Sequence, residues 1–322
     1  MSTEQQERAG AEPGEGADGG PGERPAGLWE TRVVEVPGAV LSVTGPTADA
    51  VAGLPEALFV HGLGGSADNW TELMADLDGV VRGEAIDLPG FGWSAPPLDG
   101  NLSVSGHVRA VIGYLEATGR GPVHLFGNSL GGAVSVRLAA LRPDLVRSLT
   151  LISPALPELP PQRSALPTGL LAVPGVPRLL ARIPSDGRSV EQATDGLLDL
   201  VYGNARAIPA EKRELAVAEY RRRIGLPYAM QVLVGSARGI VSAYTERGDQ
   251  ALWRQAERVE VPVLLVYGLR DKLVSYRSAA RACAAFKDAR LLVLPESGHV
   301  AMMEHPAQVG RSVREFLREV GD

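Results

Sequence analysis

VHLFGNSLGGAVSVRLAAL, residues 123–141, holds three signals in sequence. Val123–Phe126 is a short apolar run of strand type. Leu130–Leu141 is an apolar helical run. Between them stands Gly127-Asn-Ser-Leu-Gly131, which fits G-x-S-x-G. A serine on a sharp turn between a strand and a helix is lifted above the strand's C-terminal end. Its backbone must be strained there, and the flanking glycines let strand and helix pass closely. Ser129 is therefore the candidate nucleophile.

The same rhythm extends both ways from this stretch. Val33–Val43 predicts an opening pair of strands about the turn Pro37-Gly38. Ala57–Val60 and Val80–Ile86 predict strands, with a helix over Asp68–Leu77 between them. Ser103–Ala117 predicts an amphipathic helix and Leu149–Ile152 a strand. Val263–Tyr267 and Arg290–Leu294 predict two further strands, with a helix over Tyr276–Phe286 between them. Pro306–Val320 closes the chain as a helix with apolar Val309, Val313, Phe316, Leu317 and Val320 on one stripe. Short apolar strands alternating with helices predict an α/β fold: a mostly parallel sheet with helices on both faces.

Two stretches break this rhythm. Residues 1–28 hold six acidic and two basic residues among many glycines and prolines, and read as a disordered acidic tail. From Pro154 to Pro184 there are eight prolines, too many for core elements. Two helices are legible after them. One opens with the capping box Ser189-Val-Glu-Gln192 and one follows Pro209 through Arg223. Residues 154–255 are therefore expected to form a helical lid inserted between core segments 29–153 and 256–322. That lid carries 13 basic and 10 acidic residues, whereas the whole chain has a net charge of −6.

Composition excludes several classes. A net charge of −6 with no concentrated basic face argues against nucleic acid as a partner. The single cysteine, Cys283, permits no intrachain disulfide. The N-terminus has neither the basic start nor the apolar stretch of a signal peptide, and no apolar run approaches about 18 residues. A cytoplasmic location without membrane attachment is the expectation. Self-association into a homo-oligomer is left open.

A neutral serine needs a base. His299 lies in Glu296-Ser-Gly-His299, just after the last strand, at the sheet edge that carries Ser129. Asp271 follows Val263–Tyr267 at the same edge and is the candidate acid that orients the ring. The order Ser, Asp, His fits a serine at such an elbow. The loop His61-Gly-Leu-Gly-Gly-Ser66 follows an earlier strand. It is placed to offer the Leu63 N–H to a developing oxyanion, with the Leu130 N–H as second donor. His61 is expected to brace that loop. His107 and His124 read as packing residues and His305 as structural. A dinucleotide reading of Gly62-x-Gly64-x-x-Ala67, with Asp87 on a ribose, competes weakly because Asp87 enters the turn Pro89-Gly-Phe-Gly92. The histidines lack metal-ligand spacing.

Together the motifs HGLGGSADNW (61–70), DLPGFGWS (87–94), GNSLGG (127–132), YGLRD (267–271) and ESGHVAMMEHP (296–306) resemble the α/β-hydrolase superfamily. Serine at the elbow resembles its serine-nucleophile branch rather than the aspartate-bearing dehalogenases and epoxide hydrolases. Esterases, carbon–carbon bond hydrolases and haloperoxidase-like perhydrolases are all similar. The carbon–carbon hydrolases usually carry an aromatic residue after the histidine, where this chain has Val300. The resemblance implies hydrolysis of an ester-like bond in a hydrophobic small molecule, without a cofactor. Carbon–carbon cleavage of a diketo acid and a receptor-like binding role remain as alternatives. Asn128, Tyr202, Tyr228, Met230 and Val300 are the candidate substrate contacts.

Overall fold

The computed structural model describes residues 29–46, 53–158, 162 and 189–321. The expected acidic tail, and nearly all of the proline-rich start of the expected lid, lie outside the described residues.

Eight strands form one sheet. They are β1 (Glu30–Val36), β2 (Ala39–Gly45), β3 (Glu56–Val60), β4 (Arg82–Ile86), β5 (Val123–Asn128), β6 (Val146–Ile152), β7 (Val263–Gly268) and β8 (Ala289–Leu294). Their spatial order is β1-β2-β4-β3-β5-β6-β7-β8. The pairs β1/β2 and β2/β4 are antiparallel, and the remaining pairs are parallel. The chain leaves β3 for β4 on one side and later enters β5 on the other. Crevices that take ligands open at the C-terminal ends of strands where the order reverses in this way.

Both faces of the sheet are covered, so its central strands are apolar on both sides. Leu58 and Val60 of β3 join one hydrophobic cluster, while Ala57 and Phe59 join the other. On β7, Val263, Leu265 and Tyr267 alternate in the same way with Leu264 and Val266. This is the period of two expected for a strand. Helices α1 (Thr71–Asp76), α2 (Val104–Thr118) and α3 (Leu130–Leu141) follow their strands. The Ser103 hydroxyl caps α2 by accepting from the Gly106 N–H at 3.1 Å.

Between β6 and β7 the chain inserts α4 (Val190–Val201), α5 (Ala210–Ile224), α6 (Ala229–Thr245) and α7 (Leu252–Arg258). The capping box at Ser189 is formed. The expected lid boundary at 255 falls inside α7. Leu252 and Ala256 of α7 are buried in the first cluster, as are Val232 and Ala243 of α6. Arg137 of α3 explains this docking. Its guanidinium is buried and donates to Gln255 Oε1 (2.9 Å), Ser105 Oγ (2.8 Å), the Gln250 carbonyl (2.9 Å) and Glu246. Helix α6 is not announced by the sequence pattern. Its Gly235 and Gly239 weaken the helical signal but let α6 approach the start of α2. A Cβ at Gly239 would lie 2.7 Å from the Leu102 carbonyl oxygen.

After β7 come α8 (Ala279–Ala285), α9 (Ala301–Glu304) and α10 (Pro306–Val320). Val309, Val313, Phe316 and Leu317 of α10 are buried, as the stripe predicts. Among the described residues no single helix is long and apolar enough to cross a membrane.

Candidate active site

Ser129 stands between β5 and α3 with φ 53° and ψ −115°. A non-glycine residue at positive φ costs roughly 1–3 kcal/mol and persists only where its surroundings enforce it. Here they do. The Ser129 N–H donates to the Ile152 carbonyl at 3.2 Å, and its carbonyl accepts from Ala133 and Ala155 N–H. Gly131 is required by close approach, because a Cβ there would lie 2.1 Å from the Val60 carbonyl oxygen. Ser129 therefore sits at the crevice between β3 and β5.

His299 follows β8, and its Nδ1 lies 2.9 Å from Asp271 Oδ2. Both side chains are buried. The second carboxylate oxygen of Asp271 accepts from the N–H groups of Leu273 (2.8 Å) and Val274 (3.0 Å). Burial by itself raises the Asp271 pKa. The His299 ring beside it and these hydrogen bonds outweigh that effect and hold the carboxyl below its usual range. An ionised Asp271 fixes the ring with Nδ1 protonated and leaves Nε2 as the basic nitrogen.

Among the described residues, no hydrogen bond joins the Ser129 hydroxyl to His299. Asn128 links their backbones instead: its Nδ2 donates to the Ile152 and His299 carbonyls, both at 3.0 Å. Serine–histidine contacts are commonly long in an unliganded site and tighten on substrate.

The loop after β3 stands over this point. A Cβ at Gly62 would lie 3.1 Å from Ser129 Cβ. The Leu63 N–H makes no backbone hydrogen bond among the described residues. The Leu130 N–H opens α3 and has no carbonyl four residues back to receive it. His61 braces the loop. Its Nδ1 lies 2.7 Å from the Gly62 carbonyl oxygen, and its Nε2 accepts from the Leu88 N–H at 3.0 Å. Asp87 braces it as well, accepting from Ala67 N–H (2.6 Å) and Trp93 N–H (2.9 Å). This disposes of the dinucleotide reading, because the proposed ribose acid is buried and committed to backbone donors.

Burial pushes the His61 ring down to about 4 and the His107 ring down to about 3. The unfolded chain binds these protons more readily, with a pKa near 6.5. Stability therefore falls as pH drops below about 6.5 toward the folded values. Each ring should remove about 2 kcal/mol between pH 7 and pH 5. Urea unfolding at the two pH values measures this, and a level stability would contradict it.

Several expected substrate contacts prove to do other work. Both amide hydrogens of Asn128 are used on backbone carbonyls, so it is a brace. Val300 is buried in the second core cluster with Met302 and Phe59. Tyr202 is buried in that cluster too, and burial, with Glu304 and Glu72 nearby, pushes its pKa up. Met230 is 63% exposed and lines an outer groove with Leu102, Val234 and Arg238, a groove that neither Ser129 nor His299 lines. Tyr228 packs half-buried against the first cluster at the start of α6. Of these candidate contacts, Tyr202 and Val300 fill a core cluster and Tyr228 packs against the other.

One positioning residue escaped the sequence reading. Glu304 accepts from Gly298 N–H at 2.7 Å with one oxygen and from Gly203 N–H at 2.8 Å with the other. It ties the His299 loop to the end of α4, where the His299 N–H donates to the Val201 carbonyl at 2.7 Å. Its place in Glu296–Pro306, five residues after the histidine, was the available signal.

Known proteins agree with this architecture. The chain is 30% identical over 264 residues to the dihydrolipoyllysine-residue acetyltransferase component of the acetoin cleaving system of Pseudomonas putida. That match covers 81% of this chain but only 63% of that longer relative. It is 28% identical to a pimeloyl-[acyl-carrier protein] methyl ester esterase of Neisseria meningitidis, covering 83% of this chain and 96% of that one. A solved membrane phospholipase A, described as a bacterial virulence factor, superposes with a TM-score of 0.73 at 25% identity, over 91% of this chain and 87% of that one. The family model for the alpha/beta hydrolase fold matches residues 58–306, a span that holds Leu63, Ser129, Asp271 and His299. By fold, by strand order and by that match, this chain belongs to the α/β-hydrolase fold family.

Proposed function

We propose that the chain is a carboxylic ester hydrolase that works through an acyl-enzyme on an apolar small-molecule substrate. The observation that carries this reading is the strained Ser129, set beside the loop of Leu63 and sharing a sheet edge with the buried His299–Asp271 pair. Ser129 Oγ attacks the ester carbonyl while His299 Nε2 takes its proton. The N–H groups of Leu63 and Leu130 receive the oxyanion. His299 then protonates the leaving alkoxide as the C–O bond breaks. Water repeats the sequence: it gives its proton to His299, attacks the acyl carbon and releases the acid. Asp271 stays ionised throughout and stabilises the imidazolium.

The helices α4 to α6 are the proposed lid. Arg222 of α5 donates to the Gly92 carbonyl at 2.9 Å and stacks at 4.2 Å on Trp93, which supports a cap seated on the core. The esterase activity of the Neisseria relative, which spans a comparable length, also favours the reading.

A panel of p-nitrophenyl esters, a thioester and a vinylogous diketo acid tests the proposal. Ester turnover with a burst of nitrophenol, equal to the enzyme present, is the expected result. Faster cleavage of the diketo acid than of every ester would transfer the site to carbon–carbon hydrolysis.

A further inference from the structure

Helix α5 carries five cations, and four of them are paired. Lys212 pairs with Glu72, Arg213 with Asp195, Arg221 with Glu191 and Arg222 with Glu219. Arg223 differs. It is half-buried and has no carboxylate partner among the described residues. Glu219, the acid whose charge reaches it, gives both oxygens to Arg222 at 2.7 Å. Arg223 Nη1 donates instead to the carbonyl of Gly64, in the loop that holds the Leu63 N–H. A Cβ at Gly64 would lie 3.3 Å from that nitrogen and 3.6 Å from Leu233 Cδ1. The Tyr220 ring flanks the guanidinium at 5.3 Å.

A guanidinium has five N–H donors in a planar fork, and one carbonyl occupies only one of them. Withdrawing such a charge from water without a counter-ion is costly. Burial indeed works against its charge and holds the Arg223 pKa below the usual arginine range. Glu219 raises its pKa through charge and the neighbouring Arg222 lowers it. Among the described residues no carboxylate meets the fork, so its free edge is open to an anion. Gly64 is two residues from Gly62, which abuts Ser129, within the turn closed by the 3.0 Å bond from Gly65 N–H to the Gly62 carbonyl. The fork thus stands on the order of 10 Å from the nucleophile, given the span of such a turn.

We propose that Arg223, beside the Leu63 loop, binds an anionic group of the substrate, and that the substrates are esters carrying a carboxylate several bonds from the scissile carbonyl. A planar carboxylate matches the free edge of the fork in two parallel hydrogen bonds. The proposal rests on the ester-hydrolase reading above and names its substrate class. It also gives the slight basic excess of the inserted helices a specific site.

The test compares mono-p-nitrophenyl esters of glutaric and adipic acid with their neutral methyl diesters, which share the leaving group. The native chain should favour the carboxylate in kcat/KM by about tenfold or more, as a charged hydrogen bond does. Arg223→Met should bring that ratio close to one whatever happens to the absolute rates, and Arg223→Lys should restore part of it. Arg221→Met, at an exposed and paired arginine, should keep the native ratio. Glutarate binding by calorimetry is read in parallel and should be lost in Arg223→Met. A ratio unchanged in Arg223→Met overturns the proposal, and so does a native preference for the neutral diester. Binding of inorganic phosphate without glutarate would overturn the carboxylate assignment. If no ester is turned over, the hydrolase reading falls, and glutarate binding still decides the subsite.

Discussion

Ser129→Ala is expected to fold as the native chain does and to lose ester hydrolysis by about 10⁴-fold or more. The backbone bonds that hold position 129 run through its N–H and carbonyl, so removing the hydroxyl leaves them in place. Alanine occupies the same strained φ at a similar cost, and the thermal midpoint should hardly move. The loss is large because, in the proposed mechanism, this hydroxyl forms the covalent intermediate. Initial rates with p-nitrophenyl esters measure it. Activity within about tenfold of native would remove Ser129 from the mechanism.

Asp271→Asn should cost about 10³–10⁴-fold in kcat and change KM far less. The geometry dictates how. One oxygen of Asp271 accepts from the Leu273 and Val274 N–H groups, so the asparagine must turn its carbonyl oxygen to them. Its NH₂ then faces His299 Nδ1, where the carboxylate oxygen now stands at 2.9 Å. A donor at that place moves the ring proton to Nε2, the nitrogen that must be free to accept from Ser129. A rival acid is Glu158, which accepts from the Ser275 N–H at 3.1 Å and is raised in pKa chiefly by burial. If Asp271→Asn stays active while Glu158→Gln is dead, the acid has been misassigned.

The core was legible in the sequence because its signals are local. Apolar strands such as Ala57–Val60, the elbow glycines and the apolar stripe of Pro306–Val320 each report on a few neighbouring residues. The candidate nucleophile, acid and base were equally legible, since each stands just past the end of a strand and strand ends share one edge. What escaped depends on partners distant in sequence. Asn128 reads as a pocket residue until the His299 carbonyl, 171 positions on, is found to accept its amide. Met230 and Val300 have the composition of a pocket wall, but only packing shows that one faces an outer groove and the other the core. Helix α6 stayed hidden because its glycines, which lower helix propensity by up to about 1 kcal/mol each, serve its contact with Leu102 and Ser103. Arg223 was counted among the basic residues of the insertion, and only the fold shows that its neighbours on the helix have carboxylate partners while, among the described residues, it has a carbonyl instead.

The central claim is that Ser129 is an activated nucleophile. The most direct measurement is covalent labelling of the native chain by a fluorophosphonate, followed by peptide mass spectrometry. One adduct per chain is expected, located on Ser129, with labelling abolished in Ser129→Ala and strongly slowed in Asp271→Asn. An unlabelled native chain, or an adduct on any other residue, would contradict it.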